Sequence, residues 1–416
     1  MRRALLVLLA LALIVSSLAL SEKVKITYWQ YYFETRVNTI NTLIEQFERE
    51  NPNIEVEHIT FPYEAYNQQV AIAIAAGVGP EVINLFYGWI PTYVTSGYLI
   101  PLPEDEFSRD YVNSEFFPFV SKGVEFDGVM YALPTAVRAL ALFWNKDLFA
   151  EAGLDPERPP ETFAEMVEMA KKLTIYDSGG NIVQAGLTMQ PSGQAHHYIR
   201  EVLVRQLGGT PYSADNRTVL YHVTAPNALK AYTDLITEYE IGYPGFMNDD
   251  VTAFRSLRAA MTIDGSFRLA AFRALENLNW GVTELPSMNG VSSNFASFWC
   301  HGLTENATGE KRDAAIKFLK FITSEEAMEL WLENVGELPA NPGVASAYYD
   351  DPMYGPFLKG LEYSHATFFV NEVGQRQVIM DAVDKVWIAG VDPIVAFKEA
   401  AQEEQKIIDN FWRGVQ

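Results

Sequence analysis

The sequence predicts an α/β protein of two domains, and three observations carry that reading. A chain of 416 residues is too long for one compact core of ordinary size. About half of it is hydrophobic, 49%, with 13% aromatic residues, which supplies large cores and rules out a disordered chain. The opening stretch alternates strand-like and helix-like patterns, as a parallel sheet requires.

Taken in order, "KVKITYWQYY" places Val24, Ile26 and Tyr28 in alternation with polar residues before Trp29, a strand. The spacing of Ile40, Leu43, Ile44 and Phe47 predicts a helix from about 37 to 50, stopped by Asn51 and Pro52. "IEVEHITF" is the next strand, "YNQQVAIAIAAG" the next helix and "PEVINLFY" the strand after it. Gly77-Val78-Gly79-Pro80 follows a helix and precedes a strand, the reverse of a phosphate loop, and reads as a helix stop. In such sheets ligands bind beyond the carboxyl ends of the strands, where Gln30, Tyr31, Tyr87, Gly88 and Trp89 fall. Further helices are expected at about 163–173, 198–207 and 225–240. "AAMTIDGSF" reads as a strand meeting a helix, and "WGVTELP" as an extended crossing between domains.

Charge and composition exclude several functions. The formal charge of −22 comes without a clustered Lys/Arg face, so nucleic acid is not an expected partner; Lys171, Lys172, Lys311 and Arg312 read as solvated helix charges. His196 and His197 are adjacent on a helix and expected to point to different faces, which builds no metal site. No metal, cofactor or catalytic residue is expected. Glu34, Asp264 and Glu337 could form a glycosidase pair only because acids are common here, and no nucleophile elbow is apparent. The single cysteine, Cys300, reads as a buried small hydrophobe. "MRRALLVLLALALIVSS" has the build of an export signal, cleaved near residue 20, with an uncleaved membrane anchor as the alternative. No cysteine follows it to carry a lipid anchor.

Two features point toward a ligand. Aromatic side chains with polar neighbours recur at strand ends, in "YWQYY", "FYGW", "DGSF" and "SFWCH", as a sugar-binding cleft needs, although each could also be core. Arg138 stands in the apolar run "LPTAVRALALFWNK", where an unpaired guanidinium would be costly.

"LPTAVRALALFWNKDLF", "PPETFAEMVEMAKKL", "AAMTIDGSF", "WGVTELP" and "AAIKFLKFITSEEAMELW" together resemble the extracellular solute-binding proteins, family 1, of ABC importers, in the branch that includes maltose-binding protein. That resemblance implies a periplasmic-binding-protein fold: two α/β lobes with a hinge and an interlobe ligand cleft. It places lobe one at 22–134 plus 286–334 and lobe two at 135–285 plus 335–416, with crossings near 133–139, 282–286 and 336–340. It implicates Gln30, Tyr31, Glu34, Tyr87 and Trp89 in the first- and third-strand loops. It puts sugar-stacking aromatics at Tyr198 and Phe267, a polar group at Asp264, and an aromatic floor at Trp299. Where Arg138 stands, maltose-binding protein has an acid that bonds sugar hydroxyls. Arg138 is therefore expected either to face the cleft or to form a hinge salt bridge with Asp264 or Glu337. The resemblance implies a periplasmic monomer that binds a mono- or oligosaccharide and hands it to the transmembrane subunits of a permease. The alternatives are a receptor for an anionic sugar derivative and a secreted glycoside-active enzyme.

Overall fold

The computed structural model describes residues 23–243 and 245–415, so the export signal lies outside the described residues. Backbone packing divides the chain into two units. The smaller holds the residues up to Asn84 with Leu303–Ile322, and the larger holds Leu85–Gly302 with Thr323–Gln416. The expected lobes cut the chain elsewhere, at 134/135, 285/286 and 334/335.

In the smaller unit the predicted alternation is present. Strand β1 (Val24–Tyr31), helix α1 (Glu34–Glu50), strand β2 (Ile54–Phe61), helix α2 (Tyr63–Ala75) and strand β3 (Val82–Phe86) follow one another. β1 pairs in parallel with β2, from Val24 opposite Ile54 to Tyr31 opposite Phe61, and in parallel with β3 through Tyr28 and Val82. The predicted apolar stripe of α1 is its buried face. After α2, Gly77 takes φ +70°, a conformation that an L side chain would strain, and turns the chain back toward β3. The helix Gly309–Ile322 completes the unit: Phe318 meets Tyr28 and Phe47 edge-on, with ring centroids 5.6 and 5.2 Å apart. Lys311, read as a solvated charge, reaches the buried carboxylate of Glu81 at 2.6 Å. Glu81 also accepts from the Thr27 backbone N–H at 2.6 Å, so one acid ties this helix to the sheet.

The larger unit is built on strand β4 (Ala132–Asn145). Among the described residues four strands pair with it, all antiparallel: β5 (Met261–Gly265), β6 (Trp280–Thr283), β7 (Asn294–Leu303) and β8 (Leu338–Pro339). A strand with partners along its length reads as a continuous apolar run, and every residue of β4 except Arg138 is buried. Helix α3 (Phe163–Leu173) occupies its predicted span, capped by the Thr162 side chain accepting from the Glu165 N–H. Helices α4 (Glu372–Trp387) and α5 (Pro393–Val415) contribute Ile379, Val383, Phe397, Ala401 and Ile408 to the main core.

Two local expectations are corrected. The segment expected as a helix near 198–207 opens with a widened π-helical turn, Tyr198–Leu203, and a second such turn, Pro191–Ala195, precedes it, with Gly193 off the helical conformation at ψ −114°. Between them, His196 and His197 do not diverge. Their ring centroids lie 3.8 Å apart, and His197 stacks on Phe295 at 3.7 Å. A widened turn changes the angle between successive side chains, and apolar spacing alone cannot reveal that.

The core of the larger unit also encloses an ion pair. Arg200 donates to Glu404 at 2.9 Å and to the Gln375 carbonyl at 2.7 Å, and Tyr212, Tyr221 and Gln375 donate to the same carboxylate. Both charged side chains are fully buried. Removing one partner would strand the other charge, so Glu404→Ala is expected to cost roughly 3 to 5 kcal/mol of stability, read by urea denaturation. A loss below 1 kcal/mol would show that the network carries little of the core's stability.

Candidate functional site

The larger unit concentrates the expected site residues on and beside β4. On β7, Trp299 lies opposite Ala136 and Ser297 opposite Arg138, so Trp299 and Arg138 occupy one face of the ladder as diagonal neighbours. The register slips between Trp299 and Cys300, where Pro134 removes a ladder donor from β4. Trp89 follows β3 in a short 3-10 turn and meets the Trp299 ring edge-on at 5.6 Å, while Phe86 tilts against Trp299 at the same distance. Trp89, Trp299 and Phe86 all keep part of their surface exposed. Together they form a partly open aromatic patch.

Arg138 has a definite partner. Its Nε and Nη2 donate to Glu337 Oε1 at 3.0 and 2.6 Å. The local fold explains the meeting: the helix Glu325–Val335 ends in Gly336 at φ +74°, and this left-handed cap swings the next residue into β8. β8 pairs with β4 through Leu338 opposite Val137, which brings Glu337 alongside Arg138. Glu337 is 2% exposed and Arg138 25%, so the acid lies inside and the guanidinium reaches outward. Of the two partners expected for a salt bridge, Glu337 is the one bonded.

Asp264 is engaged separately. Its Oδ2 accepts from Arg268 Nε and its Oδ1 from the Gly265 N–H, both at 2.7 Å. Burial pushes its carboxyl up, against the opposing effects of Arg268, the Gly265 N–H and Arg138. Gly265 is required here because a Cβ would lie 2.2 Å from the Phe267 ring, which folds back over the turn. The Arg138 and Arg268 guanidinium carbons each lie 4.9 Å from the centroid of that ring. Phe267, expected to stack on a sugar, thus serves two cations.

The remaining expected residues are dispersed. Tyr198 is wholly enclosed in the main core and presents no ring face, because the widened turn aims it inward; the expectation of a stacking platform there is corrected. Tyr87 is buried and stacked on Phe298 at 4.6 Å. In the smaller unit Gln30 and Tyr31 are buried, and Glu34 is an exposed acid in the first turn of α1. More open aromatic surface there belongs to Tyr32, Phe33 and Tyr63, beyond the carboxyl ends of β1 and β2. Sequence reasoning passed over Phe33 and Tyr63.

It also missed Arg268 and Asp250. The helical spacing of Asp264 and Arg268, four residues apart, signalled the first of these. Asp250 has only a long-range cue: its Oδ2 accepts from the Gln190 N–H at 2.6 Å, a contact across 60 residues. Asp250 is pushed up to about 7, by burial first, with Asp264 and Asp249 adding and the Gln190 N–H and Arg268 opposing.

The pattern of the bacterial extracellular solute-binding protein family matches residues 42–354. The chain belongs to that family. This solute-binding protein is 23% identical over 431 residues to the sn-glycerol-3-phosphate-binding periplasmic protein UgpB of Salmonella paratyphi A, covering 93% of each chain. It is 25% identical over 338 residues to the maltotriose-binding protein of Pyrococcus abyssi, covering 79% of this chain and 68% of that one. Among solved structures, the cyclic alpha-maltosyl-1,6-maltose binding protein from Arthrobacter globiformis matches with a TM-score of 0.81 at 20% identity, over 93% of this chain and 100% of that one. The sugar-binding protein MalE from Xanthomonas citri matches with a TM-score of 0.80 at 20% identity, over 93% and 98%. These likenesses establish the α/β periplasmic-binding-protein fold that the sequence resemblance implied.

The Asp250 carboxyl makes a pH prediction for this solute-binding protein. Its folded value lies above the ordinary carboxyl value of about 3.9. The bound proton therefore contributes stability that is fully present below about pH 4 and is lost as pH rises through about 7. Asp250→Asn is expected to be more stable than the parent at about pH 8 and to flatten the decline between about pH 4 and 7. Urea denaturation at three pH values checks this, and equal stability at the upper value would contradict it.

Proposed function

We propose that this solute-binding protein is the exported receptor of an ABC importer, binding a carbohydrate and delivering it to the transmembrane subunits of a permease without chemistry of its own. The observation that carries the reading is the partly exposed patch of Trp89, Trp299 and Phe86, whose Trp299 lies on the strand face that also bears Arg138, paired with Glu337. Sugar rings offer C–H faces to aromatic surfaces and a rim of hydroxyls to fixed donors and acceptors. The maltotriose-binding and MalE relatives support a sugar in this chain. Ligand contacts are assigned to Trp89, Trp299, Arg138, Asp264 and Glu337 of the larger unit. The receptor works as a monomer in the periplasm after loss of residues 1–20.

A thermal-shift screen over mono-, di- and oligosaccharides tests the reading, since a ligand that binds only the folded state raises the melting temperature. At least one sugar is expected to give a saturable rise without being turned over. Trp89→Ala and Trp299→Ala are each expected to weaken that binding at least tenfold. Because both rings are partly exposed, the unliganded protein should lose less than the roughly 3 to 5 kcal/mol of a core aromatic. Full core-sized losses with sugar affinity intact would return both rings to structural roles. Release of reducing sugar from an oligosaccharide would contradict the receptor reading.

A further inference from the structure

The relatives of this solute-binding protein include receptors named for a phosphorylated polyol and for neutral oligosaccharides, and the charges around Phe267 separate the two. Both guanidiniums that reach this ring are already neutralised. Arg138 is bonded through two nitrogens to Glu337, and Arg268 through Nε to Asp264. The two carboxylates are the buried members, whereas 25% of the Arg138 side chain and 36% of the Arg268 side chain are exposed. Arg268 is also coupled electrostatically to Asp249 and Asp250. The group thus sets two cations against four acids, and Asp250, beside Asp264 and Asp249, holds a proton up to about neutrality.

An incoming phosphate could accept from the outward guanidinium N–H groups only beside buried carboxylates that already neutralise those cations, so it would meet like charge with little net attraction left. A hydroxyl faces no such repulsion. It donates to a carboxylate oxygen and accepts from an unused guanidinium N–H while both ion pairs stay closed.

We propose that the Arg138–Glu337 and Arg268–Asp264 pairs make this a site for an uncharged polyhydroxyl ligand, with Glu337 and Asp264 excluding phosphorylated and carboxylated ones. The inference rests on the carbohydrate reading above and narrows it: the buried acids determine specificity.

Calorimetric titration of the mature protein with matched pairs, glucose against glucose 6-phosphate and glucuronate, and maltose and maltotriose against sn-glycerol 3-phosphate, tests the ligand class. A parallel titration with inorganic phosphate at fixed ionic strength, on the parent and on Glu337→Gln/Asp264→Asn, tests the exclusion independently of which sugar is the natural ligand. The parent is expected to show no saturable binding of phosphate or of any charged member. The double variant, folded by circular dichroism, is expected to bind phosphate at least tenfold more tightly than the parent, and less tightly as salt rises. If the pair does not fold together, each single amide variant is titrated, with the same gain expected in smaller measure. Saturable phosphate binding by the parent, a charged member bound in preference to its neutral partner, or a folded variant indifferent to phosphate would each overturn the proposal. A parent that excludes phosphate, with a variant that gains it, upholds the exclusion even if no neutral sugar binds; that last result would count against the carbohydrate reading alone.

Discussion

A guanidinium set into a buried strand must be neutralised where it stands, and much of the larger unit around β4 follows from meeting that demand at Arg138. The neutralising acid lies 199 residues further along the chain, so the strand and the segment carrying Glu337 have to be brought together by the fold itself. Gly336 supplies the turn, β8 the register and the buried wall around Glu337 the low dielectric that makes the pairing strong. The pair in turn holds one cation against the Phe267 ring, whose placement depends on Gly265 having no side chain. A departure at any of these positions would loosen the others, because they share one contiguous set of contacts.

The same arrangement shows how an apolar strand comes to carry a charge. β4 is enclosed along nearly all its length, and the one group that reaches outward from it is a paired charge, Arg138. A guanidinium closed onto a carboxylate still presents directional donors and acceptors, at a smaller net charge than either group would carry alone. Aromatic rings provide the complementary flat surface at small conformational cost, each having only two rotatable side-chain bonds.

How much was legible in the sequence depended on whether the information was local. The strand at Ile54–Phe61 and the helix at Phe163–Leu173 occupy their expected residues because alternation and a capping threonine are written within a few positions. The partnership of Arg138 with Glu337 was legible as one of two options, since charge identifies candidate partners but not which of them the fold delivers. Tyr198 was misread because the family resemblance placed a sugar-stacking ring there, whereas here it sits in a widened turn enclosed by the core. His196 and His197 fell to the same cause. Asp250 could not have been found at all: its significance comes from Gln190, Asp249, Asp264 and Arg268 converging on it in space.

Cys300 closes off a complication that many exported proteins face. It is the only cysteine in the chain, it is fully buried on β7 with its sulfur 3.5 Å from the Leu85 carbonyl, and burial holds the thiol well above its usual pKa. A thiol that is neither ionised nor accessible is a poor partner for thiol–disulfide exchange. Folding of this protein therefore needs no disulfide formed within the chain, and the folded protein offers no accessible thiol through which an intermolecular disulfide could form.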